Sequence, residues 1–346
     1  MAEKYIAYAG TYTRGESKGI YLFDVDAESG AMVIKDTVSV HNPSFLTISY
    51  DGRFLYSSCD EGVAAFLIGE DGGLSLLGKA SVNGLRPGYI SVDRENRFML
   101  CGGYHDGKLT VLRVNDDGSA GEVTDEIFMK GPGSVGGIHY RSHVNCALFS
   151  PDERYVIAVD LGTDQVKVYE FDHEKGKLEL HDILRSELES GPKHMLFSSD
   201  GRYAYLTHEY SNEVIKYSYD PEEGKFTQMQ SLSTIPEEYE GSNSTITLRL
   251  TSDDRHLFVT NSGDNSIAMY NIDVEEQSMK TACILPVSGE YPRDVAVFPG
   301  NKIIASANQE GNTITTFKVD YEKGCFLMKN KPVSIPSPTC IRIRAL

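Results

Sequence analysis

A short acidic turn recurs along the chain and constrains its fold more than any other feature. Copies of it lie at residues 26–30, 69–73, 115–118, 172–176, 220–224, 273–277 and 320–324, and all but the sixth, which ends in Gln277, end in glycine. Glycine and acidic residues suit tight hairpin turns, because glycine adopts positive φ and carboxylates cap turn amides. A repeat of roughly 40–50 residues is typical of propellers. The sequence therefore predicts seven repeated units.

A basic residue that opens a β-rich run recurs with the same period. These runs begin at Arg53, Arg97, Arg154, Arg202, Arg255 and Lys302. Between the two anchors, segments such as 165–171 alternate with period two, which indicates antiparallel strands, and no segment resembles a capped helix of three turns. Because residues repeated in every unit serve the scaffold, we do not expect these basic residues to form a site.

The two ends of the chain account for the one missing copy of the second anchor. Residues 338–346 read as the first strand of a unit whose other strands are residues 5–9, residues 19–24 and the run after Gly30. Pairing the ends in one sheet removes free sheet edges. We therefore predict an all-β, seven-bladed β-propeller that occupies residues 1–346 as a single domain, with one blade closed by N- and C-terminal strands.

Charge and composition exclude several classes of partner. The formal net charge of −17 argues against nucleic acid, which needs a basic binding face. No apolar run is long enough to span a membrane and the N-terminus lacks a signal-peptide pattern, so we expect a cytoplasmic protein, and the acidic surface favours a monomer. The six cysteines are scattered without a C-x-x-C pair, which predicts reduced core thiols rather than a zinc or redox site.

Two segments interrupt the regular period. Residues 125–142, which include the glycine-rich run 131–137, and residues 231–245 are predicted to be long irregular segments. Long loops on a rigid scaffold often carry function. Lys130 and Arg141 in the first segment are candidate cations for a site.

Several motifs along the chain resemble one known family. The run 143–152 and the Asp-Leu-Gly-Thr-Asp run within 159–166 are the most specific, and further matches are 10–13, 191–194 with Glu209, and 292–293 with 307–309. Together they resemble the bacterial 6-phosphogluconolactonases and fungal carboxy-muconate lactonizing enzymes over essentially the whole chain. The absence of tryptophan counts against the WD-type repeat.

The resemblance implies a site at one end of the central channel and assigns residues to it. His143, Glu209 and Arg293 match a family histidine, glutamate and arginine. Four positions depart from the pattern: Asn145 replaces a second histidine, Lys193 an arginine, Thr247 an acidic residue and Ser262 an arginine. The implied activity is hydrolysis of a phosphorylated or carboxylated sugar lactone, which belongs to the pentose phosphate pathway when the substrate is 6-phosphogluconolactone.

Lactone hydrolysis needs a base for water, a donor for the oxyanion and cations for an anionic substrate. We expect His143 to be the general base, Glu209 to orient it or to act as the base, and Lys193 and Arg293 to bind the anion and polarise the carbonyl. The other candidate substrate-binding residues are Asn145, His194, Asn308 and Gln309. No metal or other cofactor is expected. The structural alternative for each side chain is a hydrogen-bonded scaffold role, and Asp160 and Asp164 are predicted to cap turns.

Three other functions remain open at this stage. The four departures are compatible with a propeller that binds a small ligand or a protein without catalysis, unless Arg141 or Lys130 supplies a replacement cation near Ser262. The reverse, muconate-type lactonizing reaction is a second alternative. A calcium-dependent gluconolactonase is the third, and it would need converging carboxylates, for which Glu61, Glu209 and Asp294 are the only candidates.

Overall fold

The computed structural model of the protein describes residues 4–129 and 141–346. Within these ranges the chain forms β-strands and one short 3₁₀ helix, η1 (Leu161–Thr163), in agreement with the prediction that no long helix occurs. The strands up to residue 129 are β1 (Tyr5–Thr11), β2 (Gly19–Val25), β3 (Met32–Ser39), β4 (Leu46–Ile48), β5 (Phe54–Cys59), β6 (Gly62–Ile68), β7 (Leu74–Ala80), β8 (Tyr89–Val92), β9 (Phe98–Gly103), β10 (Lys108–Val114) and β11 (Ala120–Phe128).

The strands after residue 140 continue the same pattern. They are β12 (Val144–Phe149), β13 (Tyr155–Asp160), β14 (Gln165–Asp172), β15 (Lys177–Arg185), β16 (Pro192–Phe197), β17 (Tyr203–His208), β18 (Glu213–Asp220), β19 (Lys225–Ser233), β20 (Thr245–Leu250), β21 (His256–Asn261), β22 (Ser266–Asp273), β23 (Ser278–Pro286), β24 (Pro292–Val297), β25 (Ile303–Asn308), β26 (Thr313–Asp320), β27 (Cys325–Met328), β28 (Val333–Ser334) and β29 (Pro338–Ala345).

The strands of the described residues form seven sheets, which confirms the number of units predicted from the repeat. The terminal sheet has the order β29-β1-β2-β3, and the second to sixth sheets take four consecutive strands each: β4–β7, β8–β11, β12–β15, β16–β19 and β20–β23. The seventh sheet has the order β24-β25-β26-β27, with β28 also paired to β26. Because consecutive strands are joined by short turns, all the registered pairs are antiparallel.

The strands divide into two compact units. Unit 1 comprises Met1–His41, Tyr205–Tyr217 and Gln228–Leu346, and unit 2 comprises Asn42–Ala204 and Ser218–Thr227. Unit 1 contains the terminal, sixth and seventh sheets, and unit 2 contains the second, third and fourth; the fifth sheet contributes residues to both. Inside each unit, apolar side chains of neighbouring sheets pack together, as Tyr56 of β5 does in one cluster with Ile90 of β8.

Both sequence anchors lie where the repeat places them. In six sheets the second strand begins one residue after the basic anchor, from Phe54 in β5 to Ile303 in β25. The acidic turns join the third and fourth strands and contain a residue at positive φ, which is glycine in every copy except the sixth, where it is Gln277 with φ of 54°. In the second copy the residue is Gly72 rather than Gly73.

The predicted pairing of the chain ends is confirmed. Strand β29 lies antiparallel to β1, with Tyr5 opposite Ala345 and Ala9 opposite Ile341, and a bulge follows at Gly10. Residues from the two termini therefore share one sheet, as the missing copy of the basic anchor required. All six cysteines are free, which agrees with their prediction as reduced thiols.

The predicted bounds of the two irregular segments were too wide. Residues 125–128 belong to β11, residues 231–233 belong to β19, and Thr245 opens β20. Strand pairing continues past the point where the repeat period breaks, since Phe128 still lies opposite Lys108 and Thr245 opposite Asn261. The connection in the second case is thus residues 234–244. Lys130 and the glycine-rich run 131–137 lie outside the described residues. In the part of the chain that the structure covers, no helix has the length and apolar character needed to cross a membrane.

Candidate active site

His143 lies immediately before β12 and is held on two sides within unit 2. Its side chain is buried, and the ring stacks on Tyr104 with centroids 4.4 Å apart. The ring Nδ1 lies 2.5 Å from the backbone carbonyl oxygen of Tyr104, which follows β9. These contacts immobilise the imidazole that the sequence predicts to be the base.

The Asp160 carboxylate holds residues 142–143 through hydrogen bonds. One carboxylate oxygen accepts hydrogen bonds from the His143 amide at 2.9 Å and the Gly162 amide at 3.2 Å, and the other accepts from the Ser142 hydroxyl at 2.7 Å. Asp160 is also the N-cap of η1, and Asp164 accepts from the amides of Glu189 and Gly191. The predicted capping role of both aspartates is confirmed.

The carboxylate of Asp160 is paired with a buried lysine. Lys167 Nζ lies 3.7 Å from Asp160 Oδ2, and both side chains are almost fully buried. Burial lowers the pKa of Lys167, while the charge of Asp160 acts in the opposite direction. The Asp160 carboxylate that binds the His143 amide therefore has a buried cationic partner and is not an isolated buried charge.

Two arginines, Arg86 and Arg141, lie near His105, the residue after Tyr104. Burial lowers the pKa of His105, the charges of the two arginines lower it further, and the charge of Asp106 acts in the opposite direction. The Arg86 guanidinium also lies 2.8 Å from Asp60. Two guanidinium groups are thus available near His105 in a chain whose net charge is −17, and such groups attract an anionic ligand.

The other predicted residues of unit 2 lie on two first strands. Asn145 is in β12, at a register shift between Val144 and Cys146, and its buried Nδ2 has no hydrogen-bond partner among the described residues. Lys193 is half-buried and His194 is buried in β16, where the His194 ring meets the edge of Tyr89 at 5.4 Å. An unsatisfied buried donor such as the Asn145 amide costs free energy, so its retention is more typical of a ligand contact than of a core residue.

In unit 1, Glu209 and the substituted positions lie at or near strand ends. Glu209 follows β17 and is half-buried, and its carbonyl oxygen accepts from the Thr245 amide at 3.3 Å. Thr247 in β20 accepts from Arg249 at 3.3 Å. Ser262 follows β21 and donates its hydroxyl to the carbonyl of Pro292 at 2.9 Å. At the position where the family has an arginine, this chain therefore has a residue that fixes the backbone next to Arg293.

Arg293 lies near the start of β24 and is half-buried. Its neighbour Asp294 is almost fully buried and bridges two arginines, with Oδ1 2.9 Å from Arg249 and Oδ2 2.9 Å from Arg342. Asp294 also accepts from the Ile341 amide at 3.0 Å. Asp294 therefore links β24 to β20 and β29, and Arg293 lies on a strand that is held on both sides.

Asn308 and Gln309 differ in their surroundings. Asn308, the last residue of β25, is fully buried, and its side-chain amide is bonded to Ser306, Thr313 and Thr315 of its own sheet. These contacts favour a scaffold role. Gln309 is half-buried, donates to Glu310 at 2.7 Å and has a buried Oε1 without a hydrogen-bond partner among the described residues. Of the two, Gln309 has the spare hydrogen-bonding capacity that ligand binding needs.

A turn position that repeats along the sequence could have identified Tyr104 as a candidate site residue. Four-residue turns join the second and third strands of five sheets, and their last residues, all at positive φ, are Gly107, Asp164, Asn212, Asn265 and Asn312. The first residues of these turns are Tyr104, Leu161, Glu209, Ser262 and Gln309. Tyr104 thus occupies the same turn position as Glu209, Ser262 and Gln309, although the motifs alone did not single it out.

Two carboxylates considered for a calcium site already have cationic partners. Glu61 Oε1 lies 2.7 Å from Lys79, and Asp294 is bonded to two arginines and to backbone amides. Over the described ranges there is no group of three or more histidine, cysteine or acidic residues placed to hold a metal ion. The donor set that calcium prefers is therefore not assembled from these residues.

The fold and these residues define a class of protein. Residues 6–343 match the family described as lactonase, 7-bladed beta-propeller, and the chain belongs to that family. This confirms the predicted seven-bladed β-propeller and the predicted lactonase class, a class of carboxylic-ester hydrolases.

The proteins that this chain resembles include some named 6-phosphogluconolactonase or gluconolactonase. The chain is 34% identical over 350 residues to the 6-phosphogluconolactonase of Bacillus subtilis, covering 98% of both chains. Among solved structures it is similar to the periplasmic gluconolactonase of Pseudomonas aeruginosa, at 28% identity and a TM-score of 0.92, covering 98% of this chain and 99% of that one. A putative 6-phosphogluconolactonase from Bacteroides fragilis shares 26% identity with a TM-score of 0.90, covering 99% and 98%.

Proposed function

We propose that the protein hydrolyses a phosphorylated or carboxylated sugar lactone, with 6-phosphogluconolactone as the first candidate, and that it needs no metal. The observation that carries the proposal is the buried imidazole of His143, stacked on Tyr104, with Arg86 and Arg141 near the adjacent His105. A base beside cations matches an anionic ester substrate. The name of the Bacillus subtilis relative supports the same substrate.

In the proposed reaction, His143 takes a proton from water while the water oxygen adds to the lactone carbonyl carbon. The ring C–O bond then breaks, and the proton returns from the imidazolium to the departing ring oxygen. The product is an open-chain hydroxy acid, so one lactone and one water are consumed, and ionisation of the new carboxylic acid releases the proton that an assay detects.

The remaining predicted residues are proposed to bind and polarise the substrate. From the family motifs, Lys193 and Arg293 are proposed to bind the anionic group and polarise the carbonyl, and Glu209 is proposed to orient the base or to act as the base. Lysine at position 193 keeps the charge but lacks the two-pronged geometry of the arginine usual in the family, so the affinity for a tetrahedral anion is reduced. Asn145, His194 and Gln309 are proposed from the same motifs as further substrate-binding residues. Cytoplasmic location, a monomeric state and a single-domain organisation remain predictions.

The test is acid release from freshly prepared 6-phosphogluconolactone, measured above its spontaneous hydrolysis. We expect His143→Gln to lower kcat about 100-fold or more, the usual contribution of a general base, and Arg293→Ala both to raise KM and to lower kcat, because Arg293 is proposed to bind the anion and to polarise the carbonyl. The matched controls are His256→Gln and Arg202→Gln. His256 is a histidine stacked on Tyr321 at 3.9 Å, and Arg202 is an exposed scaffold arginine.

The controls should keep the wild-type rate. No acceleration by the wild-type protein above the spontaneous rate would reject this substrate. An equal loss of activity in His143→Gln and His256→Gln would reject the assignment of the base. The first result would favour the alternative in which the propeller binds a small ligand without turnover.

A further inference from the structure

The contact between His143 and Tyr104 determines which ring nitrogen carries the proton. The partner of His143 Nδ1 is a backbone carbonyl oxygen, 2.5 Å away, and a carbonyl oxygen only accepts hydrogen bonds. Nδ1 must therefore be the N–H donor. In the neutral imidazole the lone pair then resides on Nε2, because one nitrogen donates and the other accepts.

The ring has little freedom to leave this arrangement. Tyr104 stacks on one face at an interplanar angle of 28°, and Gly162 lies so close that a β-carbon built on it would stand 3.0 Å from His143 Cδ2. Gly107, which closes the Tyr104 turn, would likewise bring a β-carbon within 2.9 Å of Ser142 Cβ. The turn after β9 and helix η1 thus enclose the segment 142–143 from both sides.

Asp160 adds a third restraint, which acts on the backbone. Its carboxylate binds the amide of His143 and the hydroxyl of Ser142, and the His143 carbonyl accepts from the Leu161 amide at 3.0 Å. A histidine with a fixed backbone and a fixed ring face can exchange tautomers only by giving up the Tyr104 hydrogen bond.

We propose that Tyr104 and Asp160 are positioning residues that hold His143 as the Nδ1–H tautomer, so that Nε2 is the atom that accepts the proton of the attacking water. The identification of Nε2 as the base rests on the proposed function, whereas the tautomer does not. The proton taken by Nε2 returns to the departing ring oxygen, and Nδ1 keeps its proton throughout. The Tyr104 carbonyl also stabilises the imidazolium that forms between the two transfers.

The tautomer is measured directly by long-range ¹H–¹⁵N correlation NMR of the ¹⁵N-labelled full-length protein, at a pH where the ring is neutral. The His143 signals are assigned by their loss in His143→Gln, and the exposed His41 serves as the reference within the sample. We expect His143 to be protonated on Nδ1. Protonation on Nε2 would overturn the proposal.

Substitutions of Tyr104 test whether its side chain holds His143 in the proposed tautomer. Tyr104→Ala removes the stacked ring, and we expect mixed His143 tautomers and a kcat about tenfold lower with KM within about threefold, the size of one aromatic contact. Tyr104→Phe restores the ring and should recover most of the loss. Tyr321→Ala, which removes the same type of stack from His256, should change neither the His143 tautomer nor kcat.

Asp160 is tested against a neighbouring aspartate of similar burial. Asp160→Ala should mix the His143 tautomers, whereas Asp164→Ala, which removes a carboxylate that binds the amides of Glu189 and Gly191, should leave the His143 signals unchanged. If both variants or neither perturb His143, Asp160 has no specific positioning role and that part of the proposal fails.

The proposed lactone hydrolysis and the proposed His143 tautomer can be rejected separately. If the wild-type protein hydrolyses the lactone while His143 is protonated on Nε2, the proposed function survives and the inference is wrong. If His143 is protonated on Nδ1 but no lactone is hydrolysed, the proposed function and the role of Nε2 as base are both wrong, and only the restrained tautomer remains.

Discussion

A β-carbon on Gly224 would lie 2.8 Å from Cζ of Tyr155, so the turn glycine of the fifth sheet packs directly on the aromatic residue that opens the second strand of the fourth sheet. Both residues belong to unit 2. The same relationship recurs in this unit between Gly118 and Phe54 and between Gly176 and Phe98. In these three pairs of sheets the turn glycine therefore packs on the aromatic residue that follows the basic anchor of the neighbouring sheet.

The first prediction concerns the cost of losing this contact. Gly224 has φ of 61° and Gly300 has φ of 82°, but a β-carbon on Gly300 would meet no atom within 4 Å. Gly300→Ala should lower the free energy of unfolding by about 1–2 kcal/mol through positive-φ strain alone. Gly224→Ala should cost about 1–3 kcal/mol more, because the methyl group displaces the Tyr155 ring. Urea unfolding of both variants measures the difference, and equal losses would contradict the packing role.

The repeat made most of the fold predictable from the sequence. A period-two alternation and a turn glycine are local patterns, so the seven sheets and the β1–β29 pairing could be predicted before the structure. The packing of Gly224 on Tyr155 could not, since it joins turns and strands of different repeats. The acidic turn was interpreted only as a turn, although its glycine is also required by the neighbouring sheet.

The candidate site was predictable only in part for a similar reason. The family motifs identified His143 and Arg293. The hydrogen-bond partner of His143 Nδ1, however, is a backbone carbonyl 39 residues away. Because every residue has a backbone carbonyl, the sequence does not show which one is the partner. Asn308 shows the opposite case. Its motif suggested substrate binding, whereas its burial and its bonds to Thr313 and Thr315 are properties of the folded sheet.

The second prediction concerns the buried bridge at Asp294. Asp294→Asn keeps the shape of the side chain but leaves Arg249 and Arg342 without their shared counter-charge, so the free energy of unfolding should fall by about 3 kcal/mol. Glu61→Gln breaks an ion pair with Lys79 in which Glu61 is half exposed, and it should cost less than about 1 kcal/mol. Urea unfolding at constant ionic strength compares them. A loss at Asp294 no larger than that at Glu61 would show that the bridge does not stabilise unit 1.

The third prediction concerns metal removal. Because Glu61 is paired with Lys79 and Asp294 with Arg249, dialysis against a chelator should leave the initial rate of lactone hydrolysis unchanged within error. Re-addition of calcium should not raise it. A rate that falls on dialysis and returns with calcium would contradict the proposed metal independence and would support the calcium-dependent alternative.

The fourth prediction concerns the pH dependence of stability. His208, the last residue of β17, is buried, and burial lowers its pKa from the ordinary 6.5 to about 4, with a smaller opposing effect of Glu213. Above pH 6.5 the ring is neutral in both the folded and the unfolded chain, so the stability associated with its burial is fully present. As the pH falls from 6.5 to about 4, the unfolded chain binds a proton that the folded chain does not, and about 3 kcal/mol is lost over this range.

His208→Gln isolates this contribution from that of the other titrating groups. The quantity compared is the slope of the unfolding free energy against pH between 6.5 and 4, and not the absolute stability at pH 7. That slope should be shallower in His208→Gln by one proton per molecule at its maximum. His41→Gln, at an exposed histidine, is measured alongside as the control for exchanging histidine for glutamine. Parallel slopes for His208→Gln and wild type would mean that His208 takes up its proton in the folded chain as readily as in the unfolded one.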